Sequence, residues 1–177
     1  MALQPGTNKQ VPDHSIYDAY DKQTYLGNQY QFSFGNTEIT TTSEYPLLLL
    51  QNPAVATSSF PSAYQSLFIN VRSLICLTAS QTAVLRYYLG PTFAAAGTAQ
   101  TAINLRQAST NTSIATLTSG PTVSVNGKLI GIQSSNPLVP DRRNDMVIID
   151  PGKTLLVTVQ TSSNTTYIAS ELGWYEL

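Results

Sequence analysis

Along much of this 177-residue chain, apolar and polar positions alternate. A repeat of two marks a strand with one buried face, because successive side chains of a strand point to opposite sides. In the segment Leu67 to Thr78, Leu67, Ile69, Val71, Ile75 and Leu77 share one side, Asn70, Arg72 and Thr78 the other, and Phe68 and Leu74 fall out of phase. Ala83 to Leu89 sets Leu85, Tyr87 and Leu89 against Val84, Arg86 and Tyr88, and Gly90-Pro91 ends it. Tyr30, Phe32 and Phe34 alternate in a strand from Tyr30 to Thr40 that Gly35-Asn36 interrupts. Tyr45 to Gln51 is a short apolar run stopped by Asn52-Pro53.

The C-terminal third is the cleanest. Met146 to Ile149 leads into Asp150-Pro151-Gly152, a tight turn in which proline presets φ and glycine accepts a positive value. Leu155, Val157 and Val159 alternate with mainly polar residues, Ser162-Ser163-Asn164 turns the chain, and Tyr167 to Leu177 puts Ile168, Leu172 and Trp174 on one side. This order predicts a C-terminal hairpin. In the middle, the Ala-rich stretch Phe93 to Ala102 reads as a loop or one helical turn, and Ala102 to Arg106 as the entry to a strand. Ser113–Leu117 and Thr122–Val125 read as short strands broken by Gly120-Pro121. Asn126-Gly127 is the strongest hairpin signal and predicts that Thr122–Val125 pairs with Lys128–Gln133. Ser134 to Asp145 reads as a polar loop.

Roughly eight or more short strands over about 150 residues, with turns at even spacing, predict an all-β, antiparallel β-sandwich. The longer connections near Phe93 and Ser134 favour Greek-key or jelly-roll topology over a meander. The expected organisation is an extended N-terminal arm, residues 1–28, followed by one β-sandwich domain, residues 29–177. The arm carries Tyr17, Tyr20 and Tyr25, whose large contact area and hydrogen-bonding tips suit an anchor lying on a partner.

Composition sharpens the picture in three places. Charged residues are only 11% of the chain, less than half the usual ~25%, and 40 residues are Ser or Thr. Neutral polar faces on strands follow, and so does a surface that neighbours in an assembly can cover. A net charge of −1 argues against nucleic acid and against acidic membrane surfaces as partners. The N-terminus lacks the apolar core of a signal peptide, and no apolar run is long enough for a membrane helix.

Candidate chemistry is thin. The one histidine, His14, falls in the arm, and the one cysteine, Cys76, falls on the face opposite the strongest apolar set and reads as a small packing residue. One of each excludes the usual zinc sites, and no triad can be assembled. Asp141, Asn144 and Asp145 share a segment, but their spacing fails the calcium-loop pattern, and Asp141-Arg142-Arg143-Asn144-Asp145 reads as a self-paired polar loop. Arg142 and Arg143 are candidate subunit-interface residues, since Arg is enriched at interfaces. The Asn111-Thr112-Ser113 and Asn164-Thr165-Thr166 triplets read as turns. No catalytic residue, cofactor or metal is expected.

One resemblance rests on Ile149-Asp150-Pro151-Gly152-Lys153-Thr154-Leu155-Leu156-Val157, Ser163-Asn164-Thr165-Thr166 and Leu172-Gly173-Trp174-Tyr175-Glu176. Leu50-Gln51-Asn52-Pro53 and Val84-Leu85-Arg86-Tyr87-Tyr88-Leu89 lie upstream. In that order they resemble a broad group of small virion proteins of tailed bacteriophages, of the head decoration or auxiliary capsid type. The resemblance implies a structural role on the particle surface after synthesis in the host cytoplasm. It also implies assembly as homo-oligomers, commonly trimers, and a major capsid protein or neighbouring virion protein as partner. Tyr17, Tyr20 and Tyr25 are then the capsid-contact candidates. The alternative expectation is a receptor- or glycan-binding module on a tail or head fibre, with Tyr64 and Phe93 as loop aromatics.

Overall fold

The computed structural model describes residues 27–54, 66–144 and 146–176. Fourteen strands and no helix occur among them, so the all-β expectation holds. One six-stranded sheet contains β1 (Gln29–Ile39), β3 (Leu67–Cys76), β7 (Ile103–Asn104), β11 (Asp141–Arg143), β12 (Val147–Ile149) and β14 (Thr166–Glu176). Its order is β11-β3-β14-β1-β7, with β12 beside β3 further along the same edge. The second sheet contains β2 (Tyr45–Gln51), β4 (Ala83–Leu89), β6 (Thr98–Gln100), β8 (Thr116–Ser119), β10 (Lys128–Ser135) and β13 (Thr154–Thr161), in the order β10-β4-β13-β2-β8-β6. A two-stranded ribbon, β5 (Thr92–Ala95) with β9 (Thr122–Val125), completes the set. Every ladder between strands is antiparallel.

No two consecutive strands pair with each other. The pairs β1–β14, β2–β13, β3–β12 and β3–β11, β4–β10, β5–β9 and β6–β8 are nested like the two legs of one long hairpin. That ribbon then folds over, and its edges meet through β14–β3, β13–β4, β2–β8 and β1–β7. The expected C-terminal hairpin is therefore corrected: the Ser162-Ser163-Asn164 turn carries the chain from β13 in one sheet to β14 in the other. Asp150-Pro151-Gly152 likewise crosses between sheets, with Gly152 at φ +76°. Asn52 clamps that turn: its side-chain amide donates to Ile149 O at 2.8 Å, and its carbonyl accepts from Gly152 N at 3.0 Å.

The Asn126-Gly127 reading is corrected in the same way. β9 pairs with β5 and β10 with β4, so Asn126-Gly127 lies opposite Gly90-Pro91 as a kink in the ribbon. Gly127 has φ +91° and Gly90 +66°. A second kink faces Gly97 (φ +94°) with Gly120 (φ +59°). Between the kinks, β5 and β9 arch from the β4–β10 side of their sheet to its β6–β8 side. The stretch Phe93 to Ala102, read as a loop or helical turn, thus supplies two strands. Both arms of the arch expose Thr92, Ala94, Ala95, Thr122, Ser124 and Val125, and half-bury Phe93 and Val123.

The core between the sheets joins Tyr30, Leu67, Ile69, Leu74, Ile168, Leu172 and Trp174 to Leu48, Leu50, Leu85, Tyr87, Leu155, Val157 and Val159. Leu49 and Leu156 alternate with these, so they point to the opposite, outer face, yet both are fully buried. In β3 Leu67, Ile69 and Val71 are buried as the sequence phase predicts, and the phase fails after Val71. The β3–β14 register shifts between Gly173 and Trp174, which inserts one extra residue in β3. Beyond it Arg72, Leu74 and Cys76 are buried and Ile75 is not. Cys76 consequently joins the core, correcting its expected outward placement while keeping it a packing residue. The break near Gly35-Asn36 in β1 is a second such irregularity, between Phe34 and Thr37, with Asn36 at φ +29°.

Candidate assembly surface

Polar groups caught in the fold are tied to structure. Arg72 is buried, its guanidinium 4.7 Å from the Tyr87 ring centroid. The Tyr87 hydroxyl donates to Gln133 Oε1 at 2.6 Å, and Gln133 Nε2 donates to the carbonyls of Arg72 and Asp141. Ser135 Oγ accepts from Cys76 N at 2.9 Å. These bonds bind β10 of one sheet to β3 and β11 of the other and close that flank. Gly131 leaves the room: a Cβ there would stand 3.0 Å from an Arg72 guanidinium nitrogen. At the other end of the molecule the Glu176 carboxylate accepts from Trp174 Nε1, Ser113 Oγ and Ile114 N, which pins the tip of the long ribbon to the last strand. On the outer face, Glu44 accepts from Thr158 Oγ1 at 2.6 Å and Asn126 Nδ2 at 3.2 Å, so the arch is anchored by one carboxylate.

Three tyrosines hold their protons above the ordinary value of 10.0. Burial does this at Tyr30, helped by the Glu176 charge, and at Tyr175. At Tyr88 burial acts first, then the hydrogen bond to Glu44 and its charge, against opposing contributions from Asn126 and Arg86. An unfolded tyrosine ionises near 10 and these ionise higher, so above pH 10 the unfolded chain sheds protons first. Stability is unaffected by them below that pH and falls as pH rises through the native values. In an ultraviolet titration, part of the phenolate signal of the ten tyrosines is expected to appear only together with cooperative unfolding. A single step near pH 10 with the fold intact would contradict the burial of Tyr30 and Tyr175.

The surface singles out the same closed flank. β10 ends one sheet there, and β11 and β12 end the other. Leu129 and Ile132 on β10, Leu138 and Val139 in the link to β11, and Met146 and Ile148 at β12 are all exposed, Leu138 at 63% and Val139 at 58%. Scattered exposed apolar residues are ordinary on any surface, and Ile103 and Val125 are exposed elsewhere; six along one flank of a chain so poor in charge make that flank the candidate contact surface. Arg142 and Arg143 lie in the middle of this flank and are exposed. The segment containing them, read as a polar loop, is instead partly strand: β10 runs through Ser135, and β11 pairs with β3. Arg143 pairs with Asp141 at 3.2 Å, and no carboxylate among the described residues pairs with Arg142.

The two arginine candidates thus share one flank with six exposed apolar residues, which sequence reasoning missed. Leu138 and Val139 sit between prolines in a stretch without alternation, and Ile132 and Ile148 look like core residues, although it is Gln133, Ser135 and Ile149 of their strands that turn inward. Leu138 has φ +58°, and its amide donates to Cys76 O at 2.8 Å, which holds the side chain outward. Tyr17, Tyr20 and Tyr25, with His14, lie outside the described residues, as do Tyr64 and Asp145. Phe93 is half-buried in the arch. Among the described residues no three of His, Cys, Asp and Glu gather as metal ligands, and no helix is long and apolar enough to cross a membrane.

The fold places this chain among antiparallel β-sandwich proteins. It matches no protein-family model, no curated protein and no solved structure.

Proposed function

We propose that the protein is a non-enzymatic assembly subunit, a virion decoration or auxiliary capsid protein, whose copies pack through the flank formed by β10, β11 and β12. The observation that carries this reading is the row of exposed Leu129, Ile132, Leu138, Val139, Met146 and Ile148 around Arg142. The nested, rolled ribbon is read as a jelly-roll variant, an architecture whose rigid body suits side-by-side packing. Around a symmetry axis each copy offers this flank to a neighbour, and a closed ring of three is the favoured form. The arm, residues 1–28, with Tyr17, Tyr20 and Tyr25, then reaches onto the lattice of a major capsid protein. Many weak arm contacts from one ring add through multivalency. Gripping adjacent capsid subunits in this way opposes their separation.

The mass of the purified protein in solution tests the first step. An oligomer is expected, and Ile132→Asp with Val139→Asp is expected to weaken it by roughly several hundredfold, because truncating central anchors costs ~2 kcal/mol each at an interface. Both side chains are exposed in the single chain, so folding is expected to persist. A monomer at all concentrations, or an oligomer indifferent to the two aspartates, would remove this flank from the proposal. Imaging of particles with and without the protein tests the second step: unchanged head and tail density would end the virion reading.

A further inference from the structure

The opposite side of the molecule holds a groove of about 500 Å³, where β1 and its turn into β2 diverge from the kinked ribbon. Its walls come from Phe34, Glu38 and Thr40 on one side, Tyr45 above, and Thr98 and Ser119 on the other. Two backbone features open it. The bulge between Phe34 and Thr37 bends β1. The Gly97–Gly120 kink bends the ribbon, and the absence of a side chain at Gly120 leaves space that a Cβ would fill to 3.4 Å from the Tyr45 hydroxyl. The volume falls in the range of small-ligand sites.

The lining has a definite chemistry. It contains no lysine or arginine and one carboxylate, Glu38. Phosphates, nucleotides and acidic sugars are therefore disfavoured. Among the described residues no hydrogen-bond partner meets the Glu38 carboxylate or the Thr40 and Tyr45 hydroxyls, so their capacity is open to a ligand. Ser119 Oγ accepts from Gln100 Nε2 at 2.9 Å, which leaves its own proton to donate. An ionised carboxylate accepts from two adjacent hydroxyls at once, and hydroxyl side chains both donate and accept. Tyr45 is 43% exposed, and Phe34, packed edge-to-face on Phe32 with centroids 4.8 Å apart, is half-buried. Their rings offer apolar faces at either end of the polar strip.

We infer that this groove binds a neutral saccharide, its hydroxyls held by Glu38, Thr40 and Ser119 and one apolar ring face resting on Tyr45. The inference is independent of the assembly reading, because it uses the other flank of the sandwich and none of the same residues.

The test is a nuclear magnetic resonance titration of the intact chain with glucose, galactose, N-acetylglucosamine and their disaccharides, alongside sialic acid and inorganic phosphate. At least one neutral sugar is expected to give saturable shifts confined to the amides around Glu38, Thr40, Tyr45 and Ser119. Glu38→Gln, which keeps the side chain's shape, and Tyr45→Ala are each expected to weaken that binding about tenfold or more. If Tyr45→Ala fails to fold, Glu38→Gln decides the matter. No saturable shift with any neutral sugar, equal or better binding of the anions, or binding untouched by the substitutions would overturn the inference.

Discussion

Trp174→Ala is expected to lower the melting temperature by about 6–20 °C. Replacing a buried tryptophan by alanine costs about 3–5 kcal/mol, and each kcal/mol moves the midpoint of a chain this size by about 2–4 °C. Trp174 is fully buried, lies in the core between the sheets and stacks on Tyr30 with ring centroids 6.1 Å apart. Its loss opens a cavity beneath Tyr30 and also removes the indole donor at 3.2 Å from Glu176. That carboxylate holds the tip of the ribbon through Ser113 and Ile114, so loosening it reaches a loop far along the chain. Trp174→Phe separates the two effects. It keeps most of the ring and loses the hydrogen bond, for which about 1–3 kcal/mol is expected when a partner is left unmet. Thermal melts of both variants check the order. A Trp174→Ala midpoint within a degree or two of the parent would mean that Trp174 is not a core residue.

Gly97→Ala and Gly127→Ala are the other large effects expected. Gly127 has φ +91°, and a Cβ there would lie 2.4 Å from Leu89 O; at Gly97 (φ +94°) it would lie 2.1 Å from Ser119 O. The backbone conformation alone costs an alanine about 1–3 kcal/mol, and the clash with rigid backbone adds to it. Two comparisons isolate the terms. Gly90 has φ +66° with open space, so Gly90→Ala carries only the conformational cost. Gly35 has neither restriction, and Gly35→Ala is expected to stay within about 0.5 kcal/mol of the parent. Denaturant unfolding should rank the losses Gly35, Gly90, then Gly97 and Gly127. The arch β5–β9 should also become protease-sensitive in the last two. Equal stability of Gly127→Ala and Gly35→Ala would show that the ribbon does not kink at the paired glycines.

These glycines also show how far local signals carry. Asn126-Gly127 advertises positive φ, and positive φ is what the structure uses. A hairpin turn and a kink shared by two strands demand the same backbone geometry at that residue, so the dipeptide cannot distinguish them. Gly90, thirty-odd residues earlier, is what makes it a kink, and nothing in the neighbourhood of Asn126 refers to it. The β3 strand teaches the same about phase. Ile75 shares the parity of Leu67, Ile69 and Val71, yet the extra residue near Asn70 turns Arg72, Leu74 and Cys76 inward instead. A bulge depends on the partner strand, here on Gly173 and Trp174.

The candidate contact flank was half legible. Arg142 and Arg143 drew notice as exposed charge in a chain with little of it. Ile132, Ile148 and Met146 did not, because an apolar residue reads as buried, whereas Ile132 alternates with the buried Gln133 and Ser135 and Ile148 precedes the buried Ile149, which puts both on the outer face. The groove was not legible at all: its walls are contributed by segments from Phe34 to Gly120 that meet only after the ribbon has rolled.

What the sequence determined by itself is the class of most segments, with Phe93–Ala102 and Ser134–Asp145 the exceptions, and, over most strands, which residues face inward: Leu85 and Tyr87, Leu155, Val157 and Val159, Ile168, Leu172 and Trp174 all do. Alternation is a property of one strand's own geometry, so it survives whatever the strand pairs with. The tertiary structure decided which strands pair, where two glycine pairs bend the ribbon, where a bulge reverses the phase, and which strands are left as edges. Those outcomes depend on hydrogen bonds and packing between residues distant in the chain, and backbone donors and acceptors are alike on every strand, so no local stretch records its partner.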